Sequence, residues 1–300
     1  MGDIKLFRIA NGKASPLVGA NETIEKSLQT LFEQNLEACL GVRFLASEFV
    51  TTHGGRIDTL GIDENGCPII IEYKRSTNES VITQGLFYLD WVMDHRGDFE
   101  LLVLKKLGRD SAKDIDWSAP RLICVAGDFN RYDDYAVKQI ERNIELIRYR
   151  RFGADLLMLD LVSASASASA KPVSSAALGG TTTYKSVSEV MSALDADMID
   201  RFEALRAYIK ALGDDVQETV LKYVAFKRIK NFACVEFRPN DGRILMYVKV
   251  DPTKIALESG FTRDVSQLGH YGTGDLEITL SKPEDLEKAK ALIQQSYEAS

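Results

Sequence analysis

A chain of 300 residues is too long for one compact core and fits two domains of ordinary size. Its 37 basic and 44 acidic residues leave a net charge of −7, which argues against a passive nucleic-acid coat but permits an enzyme that holds a metal with its own carboxylates. The sequence shows no apolar run long enough to cross a membrane, and its beginning does not resemble a secretory signal. The four cysteines lie far apart, so we expect reduced thiols in a cytoplasmic protein.

A stretch rich in Ser and Ala divides the chain. Residues 163–183 alternate Ser and Ala and then contain Pro and Gly, so they offer no large side chain to bury. Such a composition predicts a flexible linker. We therefore expect a first domain over residues 1–162 and a smaller second domain over residues 184–300.

Helix-like and strand-like patterns alternate in the first domain. They predict helices at about 22–40, 79–93 and 132–143, and strands at 43–50, 56–62, 68–75, 100–105, 121–126 and 155–161. This order indicates an α/β domain with a mixed central sheet flanked by helices. In the second domain the patterns predict a long helix at 188–212, a β-hairpin written NFACVEF–RPNDG–RILMYVKV, and a helix beginning near Ser281-Lys-Pro-Glu284, which together indicate an α+β domain.

Two strand-like runs that contain Asp58 and Glu72 are joined by a strong turn signal, Asp63-Glu-Asn-Gly66. If the turn consists of the three residues Glu64–Gly66, Asp58 lies directly opposite Glu72, with Cβ atoms about 5 Å apart. Side chains alternate along a strand, so Lys74 shares the face of Glu72. A turn of this length therefore predicts two carboxylates and one ammonium group in a tight cluster.

Two facing carboxylates beside an ammonium group suit metal-assisted hydrolysis. Carboxylate oxygens bind Mg²⁺ or Mn²⁺, which keep several waters and also bind phosphate oxygens. Lys74 could then position the attacking water or stabilise developing negative charge. The alternative is an exposed hairpin face on which Lys74 pairs with an ordinary acid.

Polar residues on the two helices around this hairpin add candidates. On a helical wheel Glu25 falls within the apolar face of its helix, whereas Glu33 and Glu37 point away from it. In the helix after the hairpin, Gln84 and Tyr88 are four residues apart and reach one common site. A satisfied polar pair in the core is the alternative for these last two residues.

The linked pattern resembles the PD-(D/E)XK nuclease superfamily, and within it the RecB-like and NucS-like branch. The similar motifs, within residues 20–105, are Glu25, Gly55-Arg-Ile-Asp58, Glu72-Tyr-Lys74 and Gln84-Gly-Leu-Phe-Tyr88. The resemblance implies a restriction-endonuclease-like fold, phosphodiester hydrolysis with one or two metal ions, and DNA rather than RNA as the usual substrate. Asp58, Glu72 and Glu25 would be its metal ligands. The second domain looks like an α+β module that is fused to nucleases of this type.

Arginines next to aromatic residues are candidates for nucleic-acid binding. Arg148, Arg150 and Arg151 lie beside Tyr149 in one run, where guanidinium groups and rings could hold phosphates and stack on bases. A strand edge protected by charge is the equally weighted alternative for this run. Arg56, within the Gly55–Asp58 motif, and Arg75, directly after Lys74, are the other two candidates for nucleic-acid binding.

Three functional hypotheses follow. The first is an active DNA nuclease in repair or defence. The second is an inactive nuclease-like protein that binds nucleic acid or a partner, and the third is an enzyme that acts on RNA with the same site. We expect the second domain to bind a protein partner or a second copy of the chain, and we expect no membrane partner.

Overall fold

The structure, a computed structural model, describes residues 4–21, 25–74, 81–165, 190–191, 194–270 and 272–300. The chain divides into two compact units. The first comprises Met1–Ile62, Pro68–Ile115 and Pro120–Ser167, and the second comprises Ala168–Ser300 together with the short segments Asp63–Cys67 and Asp116–Ala119. No helix within the described ranges is both long and apolar enough to span a membrane.

The first unit contains a mixed sheet. Its strands within the described residues are β3 (Gly19–Ala20), β4 (Val42–Val50), β5 (Arg56–Asp63), β6 (Pro68–Lys74), β7 (Arg121–Ala126), β8 (Asn143–Phe152) and β9 (Leu156–Ser165), and a separate hairpin is formed by β1 (Leu6–Ala10) and β2 (Lys13–Leu17). The strand order is β3-β8-β7-β6-β5-β4, and β9 also pairs with β8. The pairs β6–β7 and β7–β8 are parallel, whereas β5–β6 and β8–β9 are antiparallel. The α/β class with a mixed central sheet is therefore confirmed.

Helices flank this sheet. They are α1 (Glu25–Glu33), α2 (Leu36–Leu40), α3 (Val81–Asp94), α4 (Arg96–Leu107), α5 (Arg109–Lys113) and α6 (Arg131–Gln139). The apolar run Ile69-Ile70-Ile71 makes β6 a fully buried strand, as expected for a strand between two neighbours. Helix α3 packs closely on the sheet, since a Cβ added at Gly85 would lie 2.4 Å from Leu122 Cδ1 on β7. The centre of the sheet is therefore a rigid support for residues near the ends of β5 and β6.

One helix prediction and one strand prediction in the first unit differ from the structure. The helix expected at 22–40 is broken between α1 and α2, because Asn35 Nδ2 donates to the carbonyl of Leu31 and so competes with the helical backbone. The strand expected at 100–105 is wrong, because this segment belongs to helix α4. Phe99 and Val103 are buried and four residues apart, and the basic Lys105 lies in the last turn, which is a helical pattern. The short apolar run that follows Glu100 fits a strand as well, which is why the sequence predicted one.

The strand pattern also differs at the end of the first unit. Strand β8 was not predicted as such, and it is an interior strand, paired with β7 and with β9, rather than a charged edge. Strand β9 continues through Ser165, so the first three residues of the expected linker belong to the sheet. The alternation of Ser and Ala there fits a strand with period two, and Ser163 lies opposite Leu146. Residues 166–183 of the expected linker lie outside the described residues.

The described residues of the second unit form an antiparallel sheet and two long helices. Its strands are β10 (Gln217–Val220), β11 (Val224–Lys227), β12 (Asn231–Arg238), β13 (Arg243–Val248), β14 (Thr262–Asp264) and β15 (Leu276–Leu280), in the order β10-β11-β12-β13-β15-β14, and its helices are α7 (Ala196–Lys210) and α8 (Glu284–Glu298). The predicted hairpin is confirmed as β12–β13. The helix expected at 188–212 is interrupted before α7, since Val190 and Met191 are helical but Leu194 and Asp195 are not, and the Asp195 side chain caps α7 by accepting from the backbone N–H of Met198 at 2.7 Å. Residues 188–189 and 192–193 lie outside the described residues. The α+β class of this unit is confirmed.

Candidate active site

The hairpin of β5 and β6 has the predicted register. Thr59 pairs with Ile71 and Ile62 pairs with Pro68, so Asp58 comes opposite Glu72 one step further along. The tight turn is stabilised locally, because Gly66 has φ of 80° and the carboxylate of Asp63 accepts backbone N–H groups of the turn. Local turn chemistry therefore brings the two acids together.

Each acid binds the backbone of the opposite strand. The N–H of Asp58 donates to Glu72 Oε1 at 3.3 Å, and the N–H of Tyr73 donates to Asp58 Oδ2 at 3.0 Å. The side chain of Glu72 is completely buried, whereas Asp58 is half-buried. The two carboxylates are thus fixed in position by the sheet itself.

Burial makes ionisation of this pair costly. It raises the pKa of Glu72 to about 8, and repulsion from Asp58 is the second cause. The pKa of Asp58 is also raised, again by burial first, although the Tyr73 N–H and the Lys74 charge oppose the shift. Ionisation of both carboxyl groups therefore requires compensating positive charge beside them.

A divalent cation would supply this positive charge. Glu72 Oε2 is buried and has no hydrogen-bond partner among the described residues, which is costly for a carboxylate oxygen unless a ligand completes it. Within the same residues, however, no three His, Cys, Asp or Glu side chains come together as a metal-binding group. Asp58 and Glu72 are therefore the two carboxylates that could hold an ion such as Mg²⁺ or Mn²⁺, which retains several waters.

Glu25 does not join the two hairpin acids as a third ligand in this geometry. Its Oε1 lies 3.7 Å from Lys74 Nζ, and its side chain is 43% exposed while that of Lys74 is 14% exposed. Glu25 also raises the pKa of Asp58 and of Glu72, so it lies within electrostatic reach of both. The position supports Glu25 as the partner that orients Lys74.

Helix α1 is anchored to the site by a residue that the sequence reasoning missed. Gln29 is buried, and its Nε2 donates to the carbonyl oxygen of Asp58 at 2.7 Å. Glu33, which we expected to point away, accepts from Gln29 Nε2 at 2.9 Å and from Thr59 Oγ1 at 2.6 Å. The helical wheel was wrong for Glu33 because it ranks faces by apolar residues, whereas α1 meets β5 through polar ones.

Gln84 and Tyr88 form one hydrogen-bonded unit, with Gln84 Nε2 donating to Tyr88 Oη at 3.3 Å. Tyr88 Oη also accepts from the backbone N–H of Arg56 at 3.1 Å, two residues before Asp58. A Cβ added at Gly55 would lie 2.5 Å from the Tyr88 ring, so this approach needs glycine. The two α3 residues therefore hold the beginning of β5 in position.

Glu48 on β4 is a further acid near the site that the sequence did not indicate. It has φ of 52°, a strained value for a non-glycine residue. Its carboxylate accepts from Lys26 Nζ at 2.8 Å and pairs with Arg56 Nε at 2.5 Å, and its charge contributes to the raised pKa of Asp58. The hydrogen bond from Lys26 is the main reason why the pKa of Glu48 itself is lowered.

The five candidate arginines are placed differently from one another. Arg56 is 66% exposed and lies beside Glu48, within two residues of Asp58. Arg148 is 12% exposed and pairs with Asp160 and Asp128, so its guanidinium group forms ion pairs within the first unit. Arg151 donates to the carbonyl of Ala154. Arg75 lies outside the described residues, and Arg150 is half-buried on β8.

Comparisons with known proteins complete the description. Two solved structures are similar at a TM-score of 0.29: a repair endonuclease from Pyrococcus abyssi, with 18% identity over 43% of this chain and 48% of that one, and the EndoMS–dsDNA2 complex, with 19% identity over 41% and 44%. The match spans about half the length of each of these structures.

A family model and a relative also match the sequence of this chain. Residues 187–300 match the model of a domain of unknown function, DUF5655. An uncharacterized protein of Haemophilus influenzae is 33% identical over 309 aligned residues, which cover 98% of this chain and 99% of that protein. The chain belongs to the same family as this Haemophilus influenzae protein.

Proposed function

We propose that this protein is a divalent-metal-dependent nuclease that hydrolyses phosphodiester bonds in DNA, with Asp58, Glu72 and Lys74 at the centre of its active site. The observation that supports this most is the buried carboxylate pair, in which Glu72 Oε2 has no partner among the described residues. DNA is proposed as substrate because the motifs around these residues resemble those of a nuclease superfamily that usually acts on DNA.

The residues around the pair have separate roles in this proposal. A bound Mg²⁺ or Mn²⁺ would polarise the scissile phosphate and lower the pKa of a water molecule. Asp58 and Glu72 would hold the ion, and Gln29 fixes the backbone at Asp58 through its 2.7 Å hydrogen bond. The Lys74 ammonium would orient the water and stabilise negative charge while the water oxygen bonds to phosphorus and gives its proton to solvent, and the P–O bond to the leaving oxygen breaks.

Arg56 is the proposed contact to the substrate backbone. Its guanidinium is 66% exposed and is held by Glu48 Oε2 at 2.5 Å. A guanidinium presents several N–H donors in a fixed plane, so one edge can bind a phosphate while the other pairs with a carboxylate. This arrangement would align the strand beside the two acids.

The second candidate function is an inactive nuclease-like protein that binds nucleic acid or a partner. The observation that favours it is the lack, in the part of the chain that the structure describes, of a third acidic ligand beside Asp58 and Glu72. The two candidates differ in one measurable property, which is turnover.

The test is a cleavage screen with the full-length protein. Labelled single-stranded, duplex and branched DNA and single-stranded RNA are incubated with Mg²⁺, Mn²⁺ or EDTA. We expect cleavage of DNA with either ion, none in EDTA, and a loss of about 100-fold or more with Asp58→Asn. Glu37→Gln is the matched control, since Glu37 is an exposed acid on α2. Metal-independent binding without cleavage would support the inactive protein, and cleavage of RNA alone would overturn the assignment of DNA.

A further inference from the structure

Within the residues that the structure describes, the two long helices of the second unit pack on one face of its sheet, and a cavity lies on the other. Helices α7 and α8 pack on the face that bears Val235, Phe237, Met246 and Ile278. Side chains alternate along strands, so the residues between these point to the opposite face. Register brings Glu236 opposite Leu245 on that face, and Tyr247 opposite Glu277.

A cavity of about 320 Å³ lies on this opposite face. Leu245 and Val265 give it apolar lining, and both are buried. The ring of Tyr247 stacks on the ring of His270, with centroids 4.3 Å apart and planes 13° apart. The volume lies at the lower end of the range for small-molecule sites, about 300–1,000 Å³, and the flat aromatic wall suits a planar ring.

Two carboxylates and two guanidinium groups line the same cavity. Arg263 Nη2 lies 2.7 Å from Glu277 Oε2, and Arg238 Nη2 lies 3.0 Å from Glu236 Oε1. The acids are the buried members of these pairs, with side chains 7% and 12% exposed, whereas the guanidinium groups extend to solvent. Buried acids thus hold two arginines in place at the rim of the cavity.

The hydroxyl of Tyr247 is a fixed donor in this site. It donates to Glu236 Oε2 at 3.3 Å, and burial raises the pKa of Tyr247 above its ordinary value, with the charges of Glu236 and Glu277 adding to the shift. The tyrosine therefore remains protonated at neutral pH. One carboxylate oxygen of Glu236 accepts from Tyr247, and both acids remain acceptors for N–H groups of a ligand.

We propose that this cavity binds a nucleotide, with its base against the Tyr247–His270 wall and its phosphate on Arg238 and Arg263. A base is planar and stacks on aromatic rings, a phosphate pairs with guanidinium groups, and exocyclic amino groups of bases donate to carboxylates such as Glu277. The site lies in the second unit and is independent of Asp58 and Glu72. The nucleotide is either free or one unit of a single strand.

The test measures binding with cleavage disabled. Full-length protein carrying Asp58→Asn is titrated in EDTA with each of the four deoxynucleoside monophosphates by calorimetry, and with a labelled single-stranded DNA of about eight residues by fluorescence anisotropy. We expect saturable binding that His270→Ala weakens at least tenfold. The readout does not depend on turnover, so failure of the nuclease proposal would leave it unaffected.

Two further variants separate binding from folding. Gly269→Phe places a ring at a lining residue where an added Cβ meets nothing within 4 Å, so it fits without a clash and leaves every charge in place, and we expect the ring to narrow the cavity. The double change Arg263→Gln with Glu277→Gln removes an ion pair without leaving an unpaired charge. Its matched control is Arg228→Gln with Asp215→Asn, which removes another 2.7 Å arginine–carboxylate pair whose residues do not line the cavity.

The outcomes are distinct. Binding of monophosphates that the cavity variants weaken and the control pair does not would establish a free nucleotide as ligand. Cavity-dependent binding of the oligonucleotide alone would establish a nucleotide unit of a strand. No saturable binding of either probe, or equal affinities for the cavity variants and the control pair, would overturn the proposal.

Discussion

Two buried acids in the first sheet differ in how their charge is balanced. Glu145 on β8 is 1% exposed, and Arg121 Nη1 donates to its Oε1 at 2.6 Å. Glu72 on β6 is equally buried, but it lies beside the acid Asp58 and its pKa is raised to about 8. Arg121 thus balances the charge of Glu145, whereas at Glu72 the nearby Lys74 charge does not offset burial and the repulsion from Asp58, so the proposed metal ion would supply the remaining positive charge. We expect this contrast to separate a structural acid, Glu145, from a metal-binding one, Glu72.

The largest expected effect comes from neutralising each acid in turn. Glu72→Gln should reduce cleavage by about 100- to 1,000-fold and leave the free energy of unfolding in EDTA unchanged or higher. Glu145→Gln leaves Arg121 buried without its carboxylate and should destabilise the fold by about 3–5 kcal/mol, with little change in cleavage per folded molecule. Initial rates and denaturant unfolding of both variants check this. Equal destabilisation by both changes would remove the distinction between the acids.

Lys74→Met separates turnover from metal binding. An ammonium group is not a metal ligand, so we expect a loss of roughly 100-fold in cleavage rate with Mn²⁺ affinity retained within a factor of about three. Calorimetric Mn²⁺ titration and single-turnover rates provide the two readouts. Lys105→Met is the matched control, since Lys105 is exposed on α4. A parallel loss of metal affinity and rate would show that Lys74 maintains the structure of the site instead.

The charge of Glu72 also predicts how stability depends on pH without metal. Its pKa is raised from 4.5 in the unfolded chain to about 8 in the folded protein. The stabilisation from its proton is complete below pH 4.5 and is lost as the pH rises through 8. In EDTA at high pH, Glu72→Gln should therefore be more stable than the unchanged protein by about 1–3 kcal/mol, and the difference should vanish near pH 4.5. Thermal unfolding across this range measures it.

Addition of Mg²⁺ gives the complementary result. The ion should raise the melting temperature of the unchanged protein, because it binds the folded state and balances the two carboxylates. The same addition should leave the melting temperature of Glu72→Gln nearly unchanged. A pH-independent difference between the two proteins, with no response to Mg²⁺ in either, would contradict the assignment of Glu72 as a metal ligand.

The smallest expected effects are at the two acids outside the hairpin. Glu25 pairs with Lys74, so Glu25→Gln should lower kcat by about tenfold. Glu48 holds Arg56, so Glu48→Gln should raise KM by about fivefold, more at low salt than at high salt, with kcat nearly unchanged. Steady-state kinetics at two salt concentrations distinguish them. A Glu48 change that lowers kcat as strongly as Glu72→Gln would identify Glu48 as a metal ligand.

Local chemistry made the hairpin predictable. The turn at Asp63–Gly66 and the alternation along β5 and β6 involve neighbours in sequence, so the sequence predicted the register that places Asp58 opposite Glu72 on the assumption of a three-residue turn, and the structure has that register. The pairing of Gln84 with Tyr88 followed in the same way from helical spacing. The α/β class of the first unit and the α+β class of the second could also be predicted from the sequence.

Tertiary structure decided what depends on distant partners. The apolar run around Leu101–Leu104 fits a strand or a helix, and only packing made it α4. The sequence made Arg148 a candidate for nucleic-acid binding, but β9 places Asp160 beside it. A charged strand edge was the alternative for the same run, but β8 pairs with β7 inside the sheet. Glu48 lies near the site because its backbone has a positive φ and its carboxylate pairs with Arg56. Periodicity and turn chemistry report on a few consecutive residues, whereas burial, ion pairing and strand order are set by contacts between segments far apart in the chain.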